Sequence, residues 1–182
     1  MVETRHAVQI LSDKAVIHLD SPVELASGKM SSTFVDVKAG LAHADDLRTV
    51  CAALVQLLAD AGIEFDAVGG PTMGADHLAV GMALEATSSW FFVRKEPKGR
   101  GTGRQIEGFD LGPESKVVVI EDAVTTGGSM IKAIDVIEST GATVVAVTTP
   151  IDRGDAAALA LAARGLRYLP LATYEDLGLE PI

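Results

Sequence analysis

Val117-Val118-Val119-Ile120-Glu121-Asp122-Ala123-Val124-Thr125-Thr126-Gly127-Gly128-Ser129 decides the fold of this chain. Four β-branched apolar residues in a row read as a strand buried on both faces. Two carboxylates stand at its C-terminal end. The turn Thr125-Thr126-Gly127-Gly128-Ser129 then leads into a helix expected over Ser129–Ser139. Glycines let such a turn fold tightly and let a ligand approach the backbone. Unpaired N–H groups at a helix N-terminus favour an anion, and the hydroxyls of Thr125, Thr126 and Ser129 add donors. The turn therefore suits a phosphate monoester. No Gly-Lys-Ser/Thr follows, so it is not a Walker A loop, and its glycines lack the dinucleotide spacing. Glu121 and Asp122 beside a phosphate site are placed to accept ribose hydroxyls or to neutralise a metal; the plainer alternative is that Asp122 caps a turn.

Outward from this stretch, strands and helices alternate. Strands are expected at Phe65–Gly69, Trp90–Val93, Val144–Thr148 and Tyr168–Leu171. Helices are expected at Gly74–Glu85 and Ala156–Arg164. Upstream, Ala7, Ile10, Leu11, Ala15 and Val16 recur at helical spacing, and Thr33–Val37 is strand-like. A strong amphipathic helix runs over Asp45–Ala61, with Asp45 as its cap and Gly62 as its stop. Such alternation predicts an α/β domain with a doubly wound parallel sheet. Ligands then bind outside the carboxyl ends of the strands. Three stretches are expected there: Glu121–Ser129, the glycine-rich turn Gly69-Gly70-Pro71-Thr72-Met73-Gly74, and Pro150–Arg153.

The 182 residues fit one domain. Hydrophobic residues are 48% and aromatics only 4%, so small aliphatic residues fill the core, with Trp90 expected among them. The net charge of −10 argues against a nucleic acid or an anionic membrane as partner. The longest apolar run, Ala156–Ala163, is far shorter than the roughly 20 residues a bilayer needs. Met1–His6 lacks the apolar core of a secretory leader. The lone Cys51 excludes an internal disulfide framework and points to a reducing, cytoplasmic setting, with Cys51 as a core residue. His18, His43 and His77 have no metal-ligand spacing, and Tyr174–Leu177 carries no assigned chemistry.

One stretch breaks the alternation. Lys95–Gly108 holds four glycines and no sustained apolar period. Arg94, Lys95, Lys98, Arg100 and Arg104 supply five of the chain's 15 basic residues there. A cationic, glycine-rich loop in an acidic protein is suited to closing over a highly charged anion.

Taken together these residues resemble the type I phosphoribosyltransferases. The loop Arg94-Lys95-Glu96-Pro97-Lys98 onward resembles that of the orotate branch, and the likeness extends to Ser27-Gly28-Lys29, Gly70-Pro71 and Asp152-Arg153. The resemblance implies a single domain over 1–182. A small hood would be formed by about residues 1–40 and the C-terminal tail, with a flexible catalytic loop at 95–108. It implies transfer of the phosphoribosyl group of 5-phosphoribosyl 1-pyrophosphate to orotate, with Mg²⁺, in a homodimer whose loop acts across subunits. Glu121 and Asp122 would hold the ribose hydroxyls. Ala123 and Val124 would adjoin them, and Thr125, Thr126, Gly127, Gly128 and Ser129 would cradle the 5′-phosphate. Pro71 and Thr72 would meet pyrophosphate, through a non-proline cis peptide at Pro71–Thr72, and Arg94 would do so in its own subunit. Lys95, Lys98 and Arg100 would be the catalytic cations. Orotate would meet Thr125, Arg153, Lys29 and Phe34.

Arg100 stands where many relatives have His. Its guanidinium stays protonated, so Lys95 or Lys98 is the better proton donor. Ala26 and Met73 stand where some relatives have Lys. The rival readings are a transferase for a purine or another base, and a non-catalytic sensor of the same sugar phosphate.

Overall fold

The computed structural model describes residues 2–24, 30–97 and 104–180. Helix α1 (Val2–Ile10) widens into a π-type turn over Leu11–Ala15. Strands β1 (Val16–Glu24) and β2 (Met30–Val35) form an antiparallel pair, and the short α2 (Val37–Gly40) follows. Next come α3 (Ala44–Asp60), β3 (Ala67–Pro71), α4 (Asp76–Ala86), β4 (Ser89–Val93) and β5 (Ile106–Gly108). The chain continues through β6 (Lys116–Ile120), β7 (Ala123–Val124), α5 (Gly128–Glu138), β8 (Thr143–Asp152), α6 (Asp155–Ala162) and β9 (Tyr168–Thr173). The main sheet runs β5-β4-β3-β6-β8, with β7 and β9 also on β8; every pairing is parallel except β4–β5.

The expected doubly wound α/β sheet is present, and β6 shows why. Val118 and Ile120 face a cluster with Leu54, Leu58, Leu78 and Met82 of α3 and α4. Val117 and Val119 face the opposite cluster, with Met130, Ile134 and Ile137 of α5 and Leu161 of α6. A strand covered by helices on both faces has no polar side to show, which is why its sequence does not alternate. The first cluster also takes in Ala7, Ile10 and Leu11 from α1 and Leu171 and Tyr174 from the C-terminal end, so both ends of the chain pack on the same side. Among the described residues no helix is long and apolar enough to cross a membrane.

Several elements differ from expectation. Val16 starts β1 instead of ending a helix, and β1 itself, with His18, Asp20, Ser21 and Pro22, has no apolar alternation to announce it. The strand expected at Thr33–Val37 is Met30–Val35, because Asp36 accepts the N–H of Ala39 and starts α2. Asp45 does not cap α3: His43 takes that position and Asp45 sits in the first turn, while Gly62 ends the helix at φ +70°. The last residues of the expected 95–108 loop, Ile106–Gly108, return as a strand against β4. Trp90 is 40% exposed, not core; it stacks on Phe92, ring centroids 4.8 Å apart, on the face of β4 opposite the buried Phe91 and Val93. Tyr174–Gly178 forms a turn held by Leu177 N–H and Leu179 N–H on the Tyr174 carbonyl. Cys51 is fully buried as expected, and burial pushes its thiol up to about 12.

Candidate active site

A cleft of about 540 Å³ opens at the carboxyl ends of β3, β4 and β6. Its first wall is the β3–α4 turn. A Cβ at Gly70 would overlap the Ile120 carbonyl, so the absence of a side chain lets β3 lie against β6. Thr72 N–H donates to Val93 O at 3.0 Å, tying the turn to β4. The cis peptide lies at Thr72–Met73, one residue beyond the expected Pro71–Thr72. Met73 is 75% exposed at the rim. A Cβ at Gly74 would stand 2.7 Å from Asp122 Oδ1, so glycine there admits the acidic pair.

The second wall is the acidic pair, and β8 explains its placement. Ile120 pairs with Thr148 and Ala123 with Ile151, an unbroken register in which Glu121 and Asp122 face Thr149 and Pro150. Proline has no N–H to give a ladder. Thr149 compensates: its hydroxyl lies 3.3 Å from the Asp122 carbonyl and 3.2 Å from that of Ile151. Glu121 N–H still reaches the Thr148 carbonyl at 3.4 Å, so the ladder loosens only beside Pro150, and both carboxylates line the cleft. Asp122 Oδ1 accepts the Ala123 N–H at 2.9 Å, and Oδ2 accepts from Lys38 Nζ at 2.8 Å. Burial pushes the Glu121 carboxyl up to about 7; the Asp122 charge adds to the rise and Lys95 opposes it. Lys38 is held above the usual lysine value, first by its hydrogen bond to Asp122 and against some burial.

The third wall is the base of the cationic loop. Arg94 N–H donates to Gln105 O, and Gln105 Nε2 returns to Arg94 O, each at 2.8 Å. This clasp continues the β4–β5 pairing and sets Arg94 and Lys95 at the cleft. Arg94 lies 3.6 Å from Glu107.

Pro71, Thr72, Arg94, Lys95, Glu121, Asp122 and Ser129 therefore converge on one cleft. Thr125, Thr126, Gly127 and Gly128 follow β7 and lead into α5. Gly127 takes φ +73° at the helix start, where no side chain caps the N–H groups. Ala123 and Val124 are β7. Arg153 stands beyond them, its N–H on the Val124 carbonyl at 2.8 Å. Phe34 is 44% exposed, opposite Ile17 on the hairpin, and does not line the cleft. Lys29, Lys98 and Arg100, with Ala26, lie outside the described residues.

Three cleft residues escaped the sequence reading. Lys38 follows Asp36-Val37 and reads as a solvated lysine; its partner Asp122 is 84 residues away. Gln105 reads as loop. Lys132 was findable, because it stands one helical turn beyond Ser129 and shares its face.

The cleft thus joins an acidic strand end, a glycine turn at a helix N-terminus and a facing cationic rim. The model of the phosphoribosyl transferase domain matches residues 39–162. The orotate phosphoribosyltransferase of Corynebacterium glutamicum is 39% identical over 181 residues, covering 98% of this chain and 96% of that one. That of Thermococcus gammatolerans is 37% identical over 153 residues, 84% of this chain and 80% of its own. The Mycobacterium tuberculosis orotate phosphoribosyltransferase, solved in complex with 5-phospho-α-D-ribosyl 1-diphosphate, superposes with a TM-score of 0.81 at 30% identity, covering 97% and 99% of the two chains. The chain belongs to the orotate phosphoribosyltransferase family.

Proposed function

We propose that this chain transfers the phosphoribosyl group of 5-phosphoribosyl 1-pyrophosphate to orotate, giving orotidine 5′-monophosphate and pyrophosphate on the route to pyrimidine nucleotides. The observation that carries the reading is the cleft in which the acidic pair Glu121–Asp122 faces Arg94 beside the Pro71–Thr72 turn. Its support is kinship with enzymes of that name over nearly the whole chain.

Orotate N1 forms the new bond to ribose C1′ as the bond to the pyrophosphate oxygen breaks. Positive charge gathers on the sugar and negative charge on the leaving group. Glu121 and Asp122 accept the ribose hydroxyls beneath that cation-like centre. For this Asp122 exchanges the Lys38 ammonium for a hydroxyl, and Lys38 stays within reach of the phosphates. The N–H groups opening α5, with Thr125, Thr126 and Ser129, hold the 5′-phosphate. The Pro71–Thr72 turn and Arg94 hold pyrophosphate, and Lys95, Lys98 and Arg100 stabilise its growing charge. A loop closed over the cleft keeps water from the activated sugar. Thr125 and Arg153, with Lys29 at the hood, receive orotate, and Arg153 meets its carboxylate; Phe34, outside the cleft, takes no part.

The donor set fits Mg²⁺. Asp122 would hold it through a carboxylate oxygen, with substrate oxygens as further ligands, which suits this cation's preference for oxygen. The chemistry it would supply when bound is withdrawal of charge from the departing pyrophosphate. A homodimer in which Lys95, Lys98 and Arg100 serve the neighbouring cleft, and a cytoplasmic setting, belong to the same proposal.

The test mixes protein, orotate, 5-phosphoribosyl 1-pyrophosphate and Mg²⁺ and follows the near-ultraviolet absorbance of orotate. A decline that needs all components is expected. Tight binding of the sugar phosphate with no decline would instead favour another base or a sensor. In the dimer, a Lys95→Ala chain mixed with an Asp122→Ala chain recovers part of the activity; no recovery after confirmed subunit exchange would overturn action across subunits.

A further inference from the structure

Arg153 stands just past the carboxyl end of β8 and is held closely by Tyr174. Its Nε donates to the Tyr174 hydroxyl at 2.8 Å, and its guanidinium carbon lies 5.6 Å from the centre of the Tyr174 ring. Its Nη2 is buried and has no partner. Tyr174 is only 3% exposed, and its own N–H donates to the carbonyl of Asp152, the residue before Arg153, at 2.9 Å. The last rungs of the β8–β9 ladder, Ile151–Ala172 and Asp152–Thr173, lock the two segments together. Tyrosine and arginine are thus tied to each other through side chain and backbone.

We propose that Tyr174 is a positioning residue that sets the orotate specificity of Arg153. The inference rests on the reading that Arg153 receives the orotate carboxylate. A guanidinium can meet a carboxylate side-on, through Nε and one Nη, or end-on, through both Nη groups. The Tyr174 hydroxyl occupies Nε, which closes the side-on approach. The ring beside the guanidinium holds its plane. What remains for an incoming carboxylate is the Nη1/Nη2 end, where Nη2 already lacks a partner. A buried donor without a partner costs the empty protein, and a carboxylate that fills it recovers that cost. The plain alternative is that Tyr174 only packs the core. Its ring serves that purpose equally well without the hydroxyl, so removing the hydroxyl separates the two.

The experiment compares Tyr174→Phe, Arg153→Lys and the double variant in the full-length protein, with KM for each substrate, kcat and Tm. Tyr174→Phe is expected to raise the KM for orotate roughly tenfold, the effect of one hydrogen bond to a charged group. The KM for the sugar phosphate and kcat stay near their starting values, and Tm falls by no more than the few degrees that one lost hydrogen bond costs. In the Arg153→Lys background the same change adds little, because the bond it removes is already gone. An unchanged orotate KM in Tyr174→Phe, with a raised one in Arg153→Lys, would overturn the positioning role. Both KM values rising together with a lower Tm would overturn it in favour of packing. An unchanged orotate KM in Arg153→Lys would overturn the underlying reading of Arg153.

Discussion

Two glycine-rich turns, Gly69–Gly74 and Thr125–Ser129, lead from sheet to helix within one site and use glycine for different reasons. In the first the need is room: a Cβ at Gly70 would overlap the Ile120 carbonyl, and one at Gly74 would press on Asp122. In the second the need is conformation: Gly127 takes φ +73°, while a Cβ there would meet Ala157 only at an ordinary 3.4 Å. The lesson is that a crowded glycine fails through its neighbours and a left-handed glycine fails through its own backbone.

Substitutions separate the two cases. Gly70→Ala is expected to act most strongly. Its new carbon meets backbone, which cannot swing aside, so a loss of about 3–5 kcal/mol in urea unfolding follows. A loss under 1 kcal/mol would show that β3 and β6 can spread. Gly74→Ala meets the end of a side chain instead. The fold is kept within a few degrees of Tm, but Asp122 is displaced and kcat/KM for the sugar phosphate falls roughly 100-fold. Equal activity would break the link drawn between this turn and the acidic pair.

Glu121 between the turns gives a pH signature. Its folded pKa, about 7, lies above its unfolded value, so the folded state binds more protons between the two. Stability conferred by this group is full at acid pH and declines as pH rises through about 4.5–7. Glu121→Gln therefore stabilises the protein at pH 8 by about 1–3 kcal/mol, and the gain fades toward pH 5. A gain independent of pH would assign it to something other than the charge. Gly127→Ala is the mildest change. It costs about 1–2 kcal/mol for a left-handed alanine, and Gly127→Asn costs less. If alanine and asparagine cost the same, crowding and not φ governs this turn too.

The sequence made legible what local pattern controls. Val117–Ile120 announced a doubly covered strand because no residue in it tolerates water. The glycine turn announced a strand-to-helix turn with a left-handed residue, and Gly127 takes φ +73° directly before α5. Residues that meet only through folding stayed hidden. Lys38 gains its meaning from Asp122 across the cleft, and Tyr174 from Arg153 across a strand pair. Strand β1 stayed hidden because its exposed face carries no apolar period, and Trp90 because an apolar strand near the sheet edge does not say which of its faces is covered.

The unbroken register of β7 on β8 has a further consequence. Val124, at the root of the Thr125–Ser129 turn, is bonded to Arg153 N–H by the same ladder that pairs Ala123 with Ile151. The separation between this turn and Arg153 is therefore counted in whole residues. One residue inserted before Thr125 would slide one against the other by about 3.3 Å, the rise of a parallel strand. Reacting atoms must meet within a similar distance. Insertions are absorbed elsewhere on such a molecule, but here the sheet works as a gauge with one permitted setting.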